Sequence, residues 1–264
     1  MNVPLLSIVT ISYNNADGLE KTIQSVVSQT YPNFEYIVID GNSSDRSKSI
    51  ISTYESELAY WVSEPDTGIY NAMNNGIRAS KGLYLLFLNS GDVLTSKHAL
   101  ANFIADPLFQ GDIIYGDYKF DQGEKRYPDE LPPDYFMKTS LPHQSTFFKR
   151  ELFDRFGLYD ETYKIGADRA FYVKCQVAGI VLFQHIRYFL TLFDLSGLSN
   201  DSDFLLRKKE EDVRLLKEGY GENYELYRKN IENEQRLKEA QRKSVKGILK
   251  RIAKRIGKLW KHRS

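Results

Sequence analysis

Four short polar clusters in the first 92 residues carry side chains whose types and spacing suit chemistry. Each cluster follows an apolar run typical of a β-strand. The clusters are SYNN (12–15), DGNSSD (40–45), EPDTG (64–68) and NSGD (89–92). In open α/β sheets, ligands bind beyond the carboxyl ends of the strands. One such cluster is ordinary turn chemistry, but four in succession indicate a binding site with several carboxylates.

The glycine-rich loops that usually cradle phosphates are absent from the sequence. It contains neither G-x-G-x-x-G nor G-x-x-x-x-G-K-[ST], the motifs of dinucleotide-binding and P-loop proteins. These absences argue against a dinucleotide-dependent dehydrogenase and a P-loop NTPase. A site without such loops can still hold a diphosphate through a divalent cation, which requires carboxylate ligands.

The polar clusters need a sheet that brings their strands side by side, and the order of elements predicts one. We predict strands over 5–12, 34–40, 60–64 and 82–89 and helices over 17–29 and 71–80, with a further helix, capped by Asp45, ending at Tyr54. Strand and helix alternate over roughly 95 residues, which predicts an α/β fold with a doubly wound, mostly parallel sheet flanked by helices.

The pattern changes in the second half of the chain. We predict strands over 112–120 and 144–150, helices over 150–157 and 167–179, and a last strand and loop over 188–199. Four prolines separate the first two of these strands. The charged segment from Ser202 to about Ala240 is predicted to be helical and mostly solvated.

Two long stretches resemble family 2 glycosyltransferases, which adopt the GT-A fold. The first is LSIVTISYNNADGLEKTIQSVVSQTYPNFEYIVIDGNSSDRS, and the second is SEPDTGIYNAMNNGIRASKGLYLLFLNSGD. The second is similar to the branch that builds bacterial surface polysaccharides, including colanic-acid-type enzymes. The resemblance covers roughly residues 5–200. It implies a Rossmann-like GT-A sheet, a nucleotide-sugar donor with UDP as the expected nucleotide, a divalent cation (Mg²⁺ or Mn²⁺) and inversion at the anomeric carbon.

The resemblance also implies where the donor binds. The donor-binding residues it indicates are Thr10, Ser12, Tyr13, Asp40, Asp66, Asn74 and Ser90. Asp40 is expected to hydrogen-bond the nucleotide base, and Asp66 and Asn74 are expected to close the site. The alternatives are an ordinary turn aspartate for Asp40 and a helix cap for Asp66.

The sequence departs from the family at its metal motif, usually Asp-x-Asp after an apolar strand. Here the residues are Asn89-Ser90-Gly91-Asp92, so Ser90 replaces the first carboxylate and Asp92 is the predicted metal ligand. Mg²⁺ commonly takes one or two carboxylates and completes its shell with water and substrate phosphate oxygens. One carboxylate therefore suffices once a diphosphate is bound, and Gly91 permits close approach of the backbone.

Inversion requires a base that takes the proton from the attacking acceptor hydroxyl. The resemblance places this base at Asp168, in KIGADRAFYVK, with helix capping as the alternative role. Arg169 is expected to bind acceptor phosphate or to lower the pKa of the base. His143, in LPHQSTFF, is expected to line the acceptor pocket or hold the base, or else to be a structural residue.

A basic tail ends the chain. Ten of the 36 Lys and Arg lie in residues 241–264, which hold no Asp or Glu, so the other 240 residues carry a net charge of −9. The apolar residues of the tail form one helical stripe: Val245, Ile248, Leu249, Ile252, Ile256, Leu259 and Trp260. We predict an amphipathic helix that lies on an anionic membrane. A helix packed on its own domain or a nucleic-acid arm are the alternatives.

Membrane docking suits the acceptor that the resemblance implies, a saccharide carried on a polyprenyl diphosphate at the inner membrane face. Hydrophobic content is 42% and charged content 27%, as in soluble globular proteins. No targeting sequence or zinc-type cluster is visible, and the lone Cys175 is expected to be a buried thiol. We therefore predict a cytoplasmic, peripheral membrane protein with no nucleic-acid partner.

These expectations divide the chain into three parts. Residues 1–200 form the glycosyltransferase domain, with 1–95 binding the nucleotide sugar and 96–200 the acceptor. Residues 201–240 form a charged helical extension, and 241–264 form the membrane helix. Two rival functions remain: a sugar nucleotidyltransferase, which would want a Gly-rich basic loop that SYNNAD lacks, and a catalytically silent scaffold at the membrane.

Overall fold

The computed structural model describes residues 3–194 and 202–261, and its first half alternates strands and helices as predicted. The elements are β1 (Leu6–Ser12), α1 (Ala16–Val27), β2 (Phe34–Asp40), α2 (Ser47–Thr53), β3 (Tyr60–Ser63), α3 (Ile69–Ala79) and β4 (Tyr84–Asn89). All seven residues of β1 are buried, because parallel strands at the centre of an α/β sheet are covered on both faces.

Asp45 does more than cap one helix. Its Oδ1 accepts the backbone N–H of Ser47, the first residue of α2, at 2.9 Å. Its Oδ2 accepts the N–H of Ala16, the first residue of α1, also at 2.9 Å. One carboxylate therefore satisfies free backbone donors at the starts of two helices, where negative charge is favoured.

The second half adds shorter elements. They are β5 (Val93–Leu94), α4 (Ala99–Ile104), β6 (Ile113–Phe120), β7 (Gly123–Lys125), α5 (Tyr135–Lys138), β8 (Thr146–Lys149), α6 (Glu151–Phe156), α7 (Ala167–Val177) and β9 (Phe183–Leu192). The predictions of β6, β8, α6 and α7 are confirmed. The sequence analysis missed β5, β7, α4 and α5, which are too short to show a clear periodicity.

The strands of the described residues form one sheet in the order β3-β2-β1-β4-β8-β6-β9-β5, with β7 paired to β6. Strands β3, β2, β1 and β4 are parallel to one another. Strand β8 is antiparallel to both β4 and β6, so β6 and its parallel neighbour β9 point the same way as β4. This mostly parallel sheet, flanked by helices, confirms the predicted fold class.

The last strand differs from its prediction. It begins at Phe183, five residues before the predicted start, and ends at Leu192. The first residues of this strand include polar side chains, so they lack the apolar pattern that predicts a strand. One of them, His185, is buried, and its two ring nitrogens contact Asp129 at 2.8 Å and Asp117 at 3.0 Å. These contacts compensate for burying a polar side chain in a strand. Residues 195–199 of the prediction lie outside the described residues.

The C-terminal part consists of two helices, α8 (Ser202–Tyr220) and α9 (Asn223–Lys261), separated at Gly221, where φ is 52°. The chain divides into two compact units, Met1–Gly219 and Tyr220–Ser264. Helix α8 belongs to the first unit up to Gly219 and buries Leu215 and Leu216. The sequence analysis instead placed the first boundary near residue 200. None of the described helices has an apolar stretch that would span a bilayer.

Candidate active site

The carboxyl ends of the parallel strands lie side by side and gather most of the predicted donor residues. Ser12 of β1 is in register with Asp40 of β2, which is in register with Ser63 of β3. Three buried side-chain oxygens at this edge have no hydrogen-bond partner within the described part of the chain: Ser12 Oγ, Asn89 Oδ1 and Asp92 Oδ2. Because buried polar atoms in proteins are nearly always paired, these atoms indicate a ligand site.

Asp40 is a fully buried carboxylate at the centre of this edge. It accepts the hydroxyls of Ser43 and Ser63 and, at 2.9 Å, the backbone N–H of Ser43. The turn after β2 therefore holds the carboxylate in one orientation, as a specific hydrogen bond to a base would require.

Asp66 lies close enough to Asp40 for their charges to interact. Burial raises the pKa of Asp66, a hydrogen bond from the backbone N–H of Gly68 at 2.9 Å lowers it, and the charge of Asp40 raises it, with a raised pKa as the result. The bond to Gly68 precedes α3, so Asp66 shapes the turn that leads into the helix. Its donor role stays a prediction.

Gly41 forms a narrow gap between two predicted donor residues. A Cβ atom at this position would lie 2.6 Å from Asp66 Oδ2 and 3.3 Å from the ring of Tyr13. Tyr13 itself is 67% exposed. An exposed aromatic ring next to the buried Asp40 and the half-buried Asp66 is a suitable platform for a flat nucleotide base, which stacks on such rings.

Two predicted donor residues use their side chains elsewhere. The hydroxyl of Thr10 is fully buried and shares a 2.9 Å hydrogen bond with the phenol of Tyr36. Asn74 donates to the carbonyl of Tyr159 and to Glu161, both at 2.9 Å, and accepts the N–H of Tyr159 at 3.0 Å. The structure thus gives Thr10 a role within the sheet, and Asn74 holds the loop before α7.

The turn after β4 carries the predicted metal ligand. Asp92 is 2% exposed, and one of its oxygens accepts the backbone N–H of Asp194 at 3.2 Å. Burial raises its pKa to about 6, partly offset by the positive charge of His143 and increased by the charge of Asp194. Its other oxygen is the unpaired Oδ2. A buried carboxyl of this kind gains most when a cation joins it.

Ser90 occupies the position where the family usually has the first carboxylate. It is half-buried. Asn15 Nδ2 donates to its carbonyl oxygen at 2.9 Å and lies 3.3 Å from its Oγ. Ser90 therefore joins the turn after β4 to the start of α1, and its donor role stays a prediction.

His143 lies between the end of β4 and α7. Its Nε2 is 3.1 Å from Asn89 Nδ2, and its Nδ1 is 3.5 Å from Asp168 Oδ2. An amide nitrogen donates, so in the neutral ring Nε2 accepts and the ring proton sits on Nδ1, facing Asp168. The protonated ring donates from both nitrogens, which requires the amide of Asn89 to turn its unpaired Oδ1 towards Nε2. Burial lowers the pKa of His143, but Asp168 and the charge of Asp92 outweigh this and raise it.

Asp168, the predicted base, is held by several groups in the first turn of α7. Its Oδ1 accepts the N–H of Arg169 at 2.8 Å and lies 3.0 Å from the hydroxyl of Tyr70. Burial would raise its pKa, but the hydrogen bond and charge of His143 outweigh burial and hold the pKa below its usual value. The carboxyl is therefore ionised at neutral pH, and its Oδ2 points towards His143.

The side chain of Arg169, unlike its backbone N–H, binds groups other than Asp168. Its Nε and Nη2 donate to the carbonyl of Phe136 at 2.9 and 2.5 Å, and its Nη1 lies 2.7 Å from Asp212 of α8. These partners use the guanidinium for packing between helices. The predicted acceptor contact of Arg169 therefore has no support in the geometry.

The residues present fit a divalent cation that shares its ligands with a substrate. Within residues 3–194 and 202–261, no three His, Cys, Asp or Glu side chains converge to hold an ion by themselves. Asp92 nevertheless offers an unpaired buried oxygen, and Asp194 lies beside it. A Cβ on Gly91 would be 2.5 Å from Asp194 Oδ2. The neighbouring carboxyl groups of Asp92 and Asp194 suit Mg²⁺ or Mn²⁺, with phosphate oxygens of the substrate completing the coordination shell of the ion.

Asp194 and Tyr70 are the residues that the sequence analysis missed. Asp194 follows β9 and meets Asp92 at the same sheet edge, whereas the sequence analysis placed it within a last strand and loop over 188–199 and gave it no role. Tyr70 is buried in α3, where its spacing marks it as a core residue. Its position after the EPDTG cluster was the one available signal of a polar role.

Comparison with known sequences identifies close family relationships. The family described as "Glycosyl transferase family 2" matches residues 7–170. An uncharacterized glycosyltransferase of Mycobacterium tuberculosis is 34% identical over 207 residues, covering 75% of this chain and 78% of the relative. A PGL/p-HBAD biosynthesis glycosyltransferase of Mycobacterium bovis is 30% identical over 220 residues, covering 78% and 85%.

Solved structures share the fold at low identity. S. aureus TarS (residues 1–349) in complex with UDP aligns with a TM-score of 0.62 and 19% identity, covering 80% of this chain and 65% of that one. The mannosyltransferase PcManGT of Pyrobaculum calidifontis, in complex with GDP-Man and Mn²⁺, aligns with a TM-score of 0.61 and 18% identity, covering 81% and 64%. This chain thus spans about two thirds of the length of these structures.

Proposed function

Because the chain belongs to glycosyl transferase family 2 and is therefore a glycosyltransferase, we propose that it moves a sugar from a UDP-linked donor to a lipid-linked saccharide, with inversion. The observation that carries this proposal is the arrangement around His143. The imidazole faces an ionised carboxylate, Asp168, and interacts through its charge with a buried carboxyl that has an unpaired oxygen, Asp92. One carboxyl suits the donor's diphosphate and its cation, and the other suits the acceptor hydroxyl.

The donor pocket is proposed at the ends of β1 and β2. Asp40 would accept a hydrogen bond from the base, and the exposed ring of Tyr13 would stack on it. Gly41 keeps this gap open, since any side chain there would meet Asp66 and Tyr13. A TarS structure with bound UDP has the same fold, which supports UDP as the nucleotide.

We propose that Asp92 and Asp194 would hold a divalent cation, Mg²⁺ or Mn²⁺, which would supply positive charge to neutralise the leaving diphosphate. The fold relative PcManGT is solved with Mn²⁺. The protein's own contribution is a buried carboxyl whose charge is costly until a cation arrives, so cation and donor should bind together.

Asp168 is proposed to take the proton from the acceptor hydroxyl as that oxygen attacks the anomeric carbon. The N–H of Arg169 donates to Oδ1, and the hydroxyl of Tyr70, whose one hydrogen is shared between the carbonyl of Ile165 and Oδ1, lies against the same oxygen, which leaves Oδ2 for the proton. His143 holds Oδ2 from one side and balances the negative charge of both carboxylates. General base catalysis of this kind contributes about 10²–10⁴-fold.

The acceptor is proposed to be a saccharide on a polyprenyl diphosphate, reached from the inner face of the membrane. Helix α9 continues without a break to Lys261, so the tail has the helical conformation that its apolar stripe requires. Each Lys or Arg near an anionic surface contributes about 1 kcal/mol. Ten of them in residues 241–264 would hold the enzyme at the surface where such acceptors reside.

A transfer assay tests the proposal directly. The purified full chain would be incubated with a panel of UDP- and GDP-sugars, acceptor lipid in anionic vesicles, and Mg²⁺, Mn²⁺ or EDTA. We expect cation-dependent release of UDP together with a glycosylated lipid. Release of GDP alone would overturn the choice of nucleotide, and transfer that persists in EDTA would overturn the cation. The absence of both turnover and nucleotide binding would favour a silent scaffold.

A further inference from the structure

Helix α8 lies beyond the residues that match the family, 7–170, yet it contacts the segment that carries Asp168. Its Glu211 accepts two consecutive backbone N–H groups with its two carboxylate oxygens, from Lys164 at 2.8 Å and from Ile165 at 2.9 Å. Hydrogen bonds from backbone N–H groups to a carboxylate are charge-assisted and strong. The turn just before α7 is therefore fixed to α8.

A second acidic residue of α8 fixes the chain on the other side of Asp168. Asp212 lies 2.7 Å from Arg169, and the side chains are only 25% and 11% exposed. The same guanidinium donates to the carbonyl of Phe136. A mostly buried guanidinium whose Nε, Nη1 and Nη2 all have partners holds its backbone more rigidly than an exposed ion pair would.

Close backbone packing accompanies these polar contacts. A Cβ on Gly166 would lie 2.7 Å from Leu215, which is 1% exposed, and a Cβ on Gly219 would lie 2.4 Å from Val173 of α7. Around them, Tyr163 donates to Glu218, and Arg214 stacks on the ring of Tyr163. Helices α7 and α8 therefore approach as closely as glycine allows.

We infer that Glu211 and Asp212 are positioning residues, which fix the orientation of the base Asp168 from a helix outside the family-matched residues. They anchor the chain three and four residues before Asp168 and one residue after it. The carbonyl of Ile165 accepts the hydroxyl of Tyr70, the same group that lies against Asp168 Oδ1. The inference rests on the proposed role of Asp168 in catalysis.

The loop before α7, residues 161–165, is also bound to α3 at its first residue. Glu161 accepts the amides of Asn71 and Asn74, both at 2.9 Å. The loop is thus tied at residue 161 to α3 and at residues 164–165 to α8. Removing the α8 contacts should free the turn next to Asp168 without releasing the whole loop, and a misplacement of about 1 Å costs roughly 100-fold in rate.

The test uses the full chain with Glu211→Ala and Asp212→Ala, the milder Glu211→Gln and Asp212→Asn, and Glu210→Ala as matched control. Glu210 is the exposed neighbour on the same helix. We expect kcat to fall roughly 10- to 100-fold in the alanine variants. KM for the donor should change by less than about 2-fold, because Glu211 and Asp212 bind residues 164, 165 and 169 rather than Asp40 or Tyr13. Glu211→Gln and Asp212→Asn each keep an acceptor oxygen, so they should recover part of the loss.

Hydrogen exchange over residues 162–170 tests positioning without relying on activity. We expect Glu211→Ala to speed exchange at Lys164 and Ile165, whereas Glu210→Ala should not. If the wild type transfers no sugar but this result holds, the proposed function fails and the anchoring stands. Unchanged exchange, an unchanged kcat in an active enzyme, or equal losses in kcat and donor affinity would each overturn the inference. If the alanine variants do not fold, the Gln and Asn variants decide by the same readouts.

Discussion

At the scale of single residues, the site pairs a buried carboxyl group, Asp92, with a half-buried one, Asp168, and the two have opposite properties. Burial raises the pKa of Asp92 and outweighs the charge of His143 and the backbone N–H groups that lower it. At Asp168, His143 and two further donors outweigh burial and hold the pKa below its usual value. Environments that separate the pKa values of two neighbouring acids are typical of active sites. In this site the two environments suit different proposed roles, with Asp92 binding a cation and Asp168 accepting a proton.

Replacing Asp168 with Asn should abolish transfer while leaving the donor bound. Asn keeps the shape of the side chain and an acceptor oxygen for Arg169 and Tyr70, but it cannot take a proton. We expect kcat to fall by about 10²–10⁴-fold, with the affinity for UDP unchanged by calorimetry. Asp154→Asn, which changes an exposed carboxyl of α6, serves as the control. Activity within a factor of about two of the wild type would remove Asp168 from the reaction.

Asp92 should make the metal-free protein less stable as the pH rises. Because its pKa is raised from about 3.8 to about 6 on folding, the fold holds its proton more tightly than the unfolded chain does. The stability it contributes is present below its unfolded pKa and is lost as the pH rises through about 6, a change of about 3 kcal/mol at most. His143 and Asp194 face this carboxyl and share in its titration.

Urea unfolding of the wild type and Asp92→Asn, both in EDTA, measures this effect. As the pH is lowered from about 7.5 to about 5, the free energy of unfolding of the wild type should rise relative to that of the variant. The reason is that the wild type has a carboxyl at position 92 that takes up a proton in this interval, and the variant has none. Asp92→Asn should also lose cation-dependent nucleotide binding. Parallel stability profiles for the two proteins would contradict a pKa of Asp92 that is raised by burial.

At the scale of elements, the turn after β4 does the positioning. Gly91 has φ of 111°, and its missing side chain leaves room for the carboxyl of Asp194. The turn thereby joins the end of β4 to the end of β9, although 102 residues separate Asp92 from Asp194. Close backbone approach at a glycine is the feature that brings the two carboxyl groups together.

Gly91→Ala should weaken donor and cation binding more than it weakens the fold. The new Cβ would lie 2.5 Å from Asp194 Oδ2 and would displace that carboxyl, besides adding backbone strain of about 1–3 kcal/mol. Gly157→Ala is the matched control, because Gly157 also has a positive φ, 85°, but nothing lies within 4 Å of its Cβ position. Both should lower Tm, and only Gly91→Ala should weaken UDP binding. An equal effect on binding would argue against the crowding of Asp194.

At the scale of the whole molecule, the chain combines a catalytic unit with a long basic helix. The first unit, Met1–Gly219, holds every residue of the candidate site, and the second, Tyr220–Ser264, is built around α9. The first 240 residues are acidic overall and the last 24 are strongly basic. Such a charge distribution favours attachment to an anionic surface by the tail alone.

Deleting residues 241–264 should move the enzyme from the membrane to the soluble fraction. A sharper comparison adds two negative charges either on the apolar stripe or just outside it. The first double variant is Ile252→Asp with Ile256→Asp on the stripe, and the second is Ala253→Asp with Gly257→Asp beside the stripe. The first pair should abolish sedimentation with anionic vesicles, because burial of the apolar face is lost. The second pair should reduce it less.

Equal loss in both paired variants would show that charge alone holds the tail. Unchanged sedimentation of the deleted chain would place the membrane contact elsewhere. Binding of the tail to nucleic acid in preference to vesicles would favour the alternative partner.

The sequence alone determined the order of elements in the first half and the edge of the sheet at which the site lies. Each strand there is a continuous apolar run that ends in a polar cluster, and burial of those runs forces their ends together. Asp40 and Asp92 lie in those clusters, whereas Asp168 was indicated only by the resemblance to family 2 glycosyltransferases. Their chemical roles remain proposals.

Only the tertiary structure decided which side chains meet across long distances in the chain. Asn74 and Arg169 hold a loop and a helix, because Glu161, Phe136 and Asp212 bind them from elsewhere in the chain. The contact of Asp194 with Asp92 and the contacts of Glu211 and Asp212 with the chain around Asp168 could not be predicted from the sequence. Local sequence patterns indicate which residues are buried and not which residues they contact. Hydrogen bonds between distant segments arise from packing, and for this protein packing fixed the orientation of the proposed base.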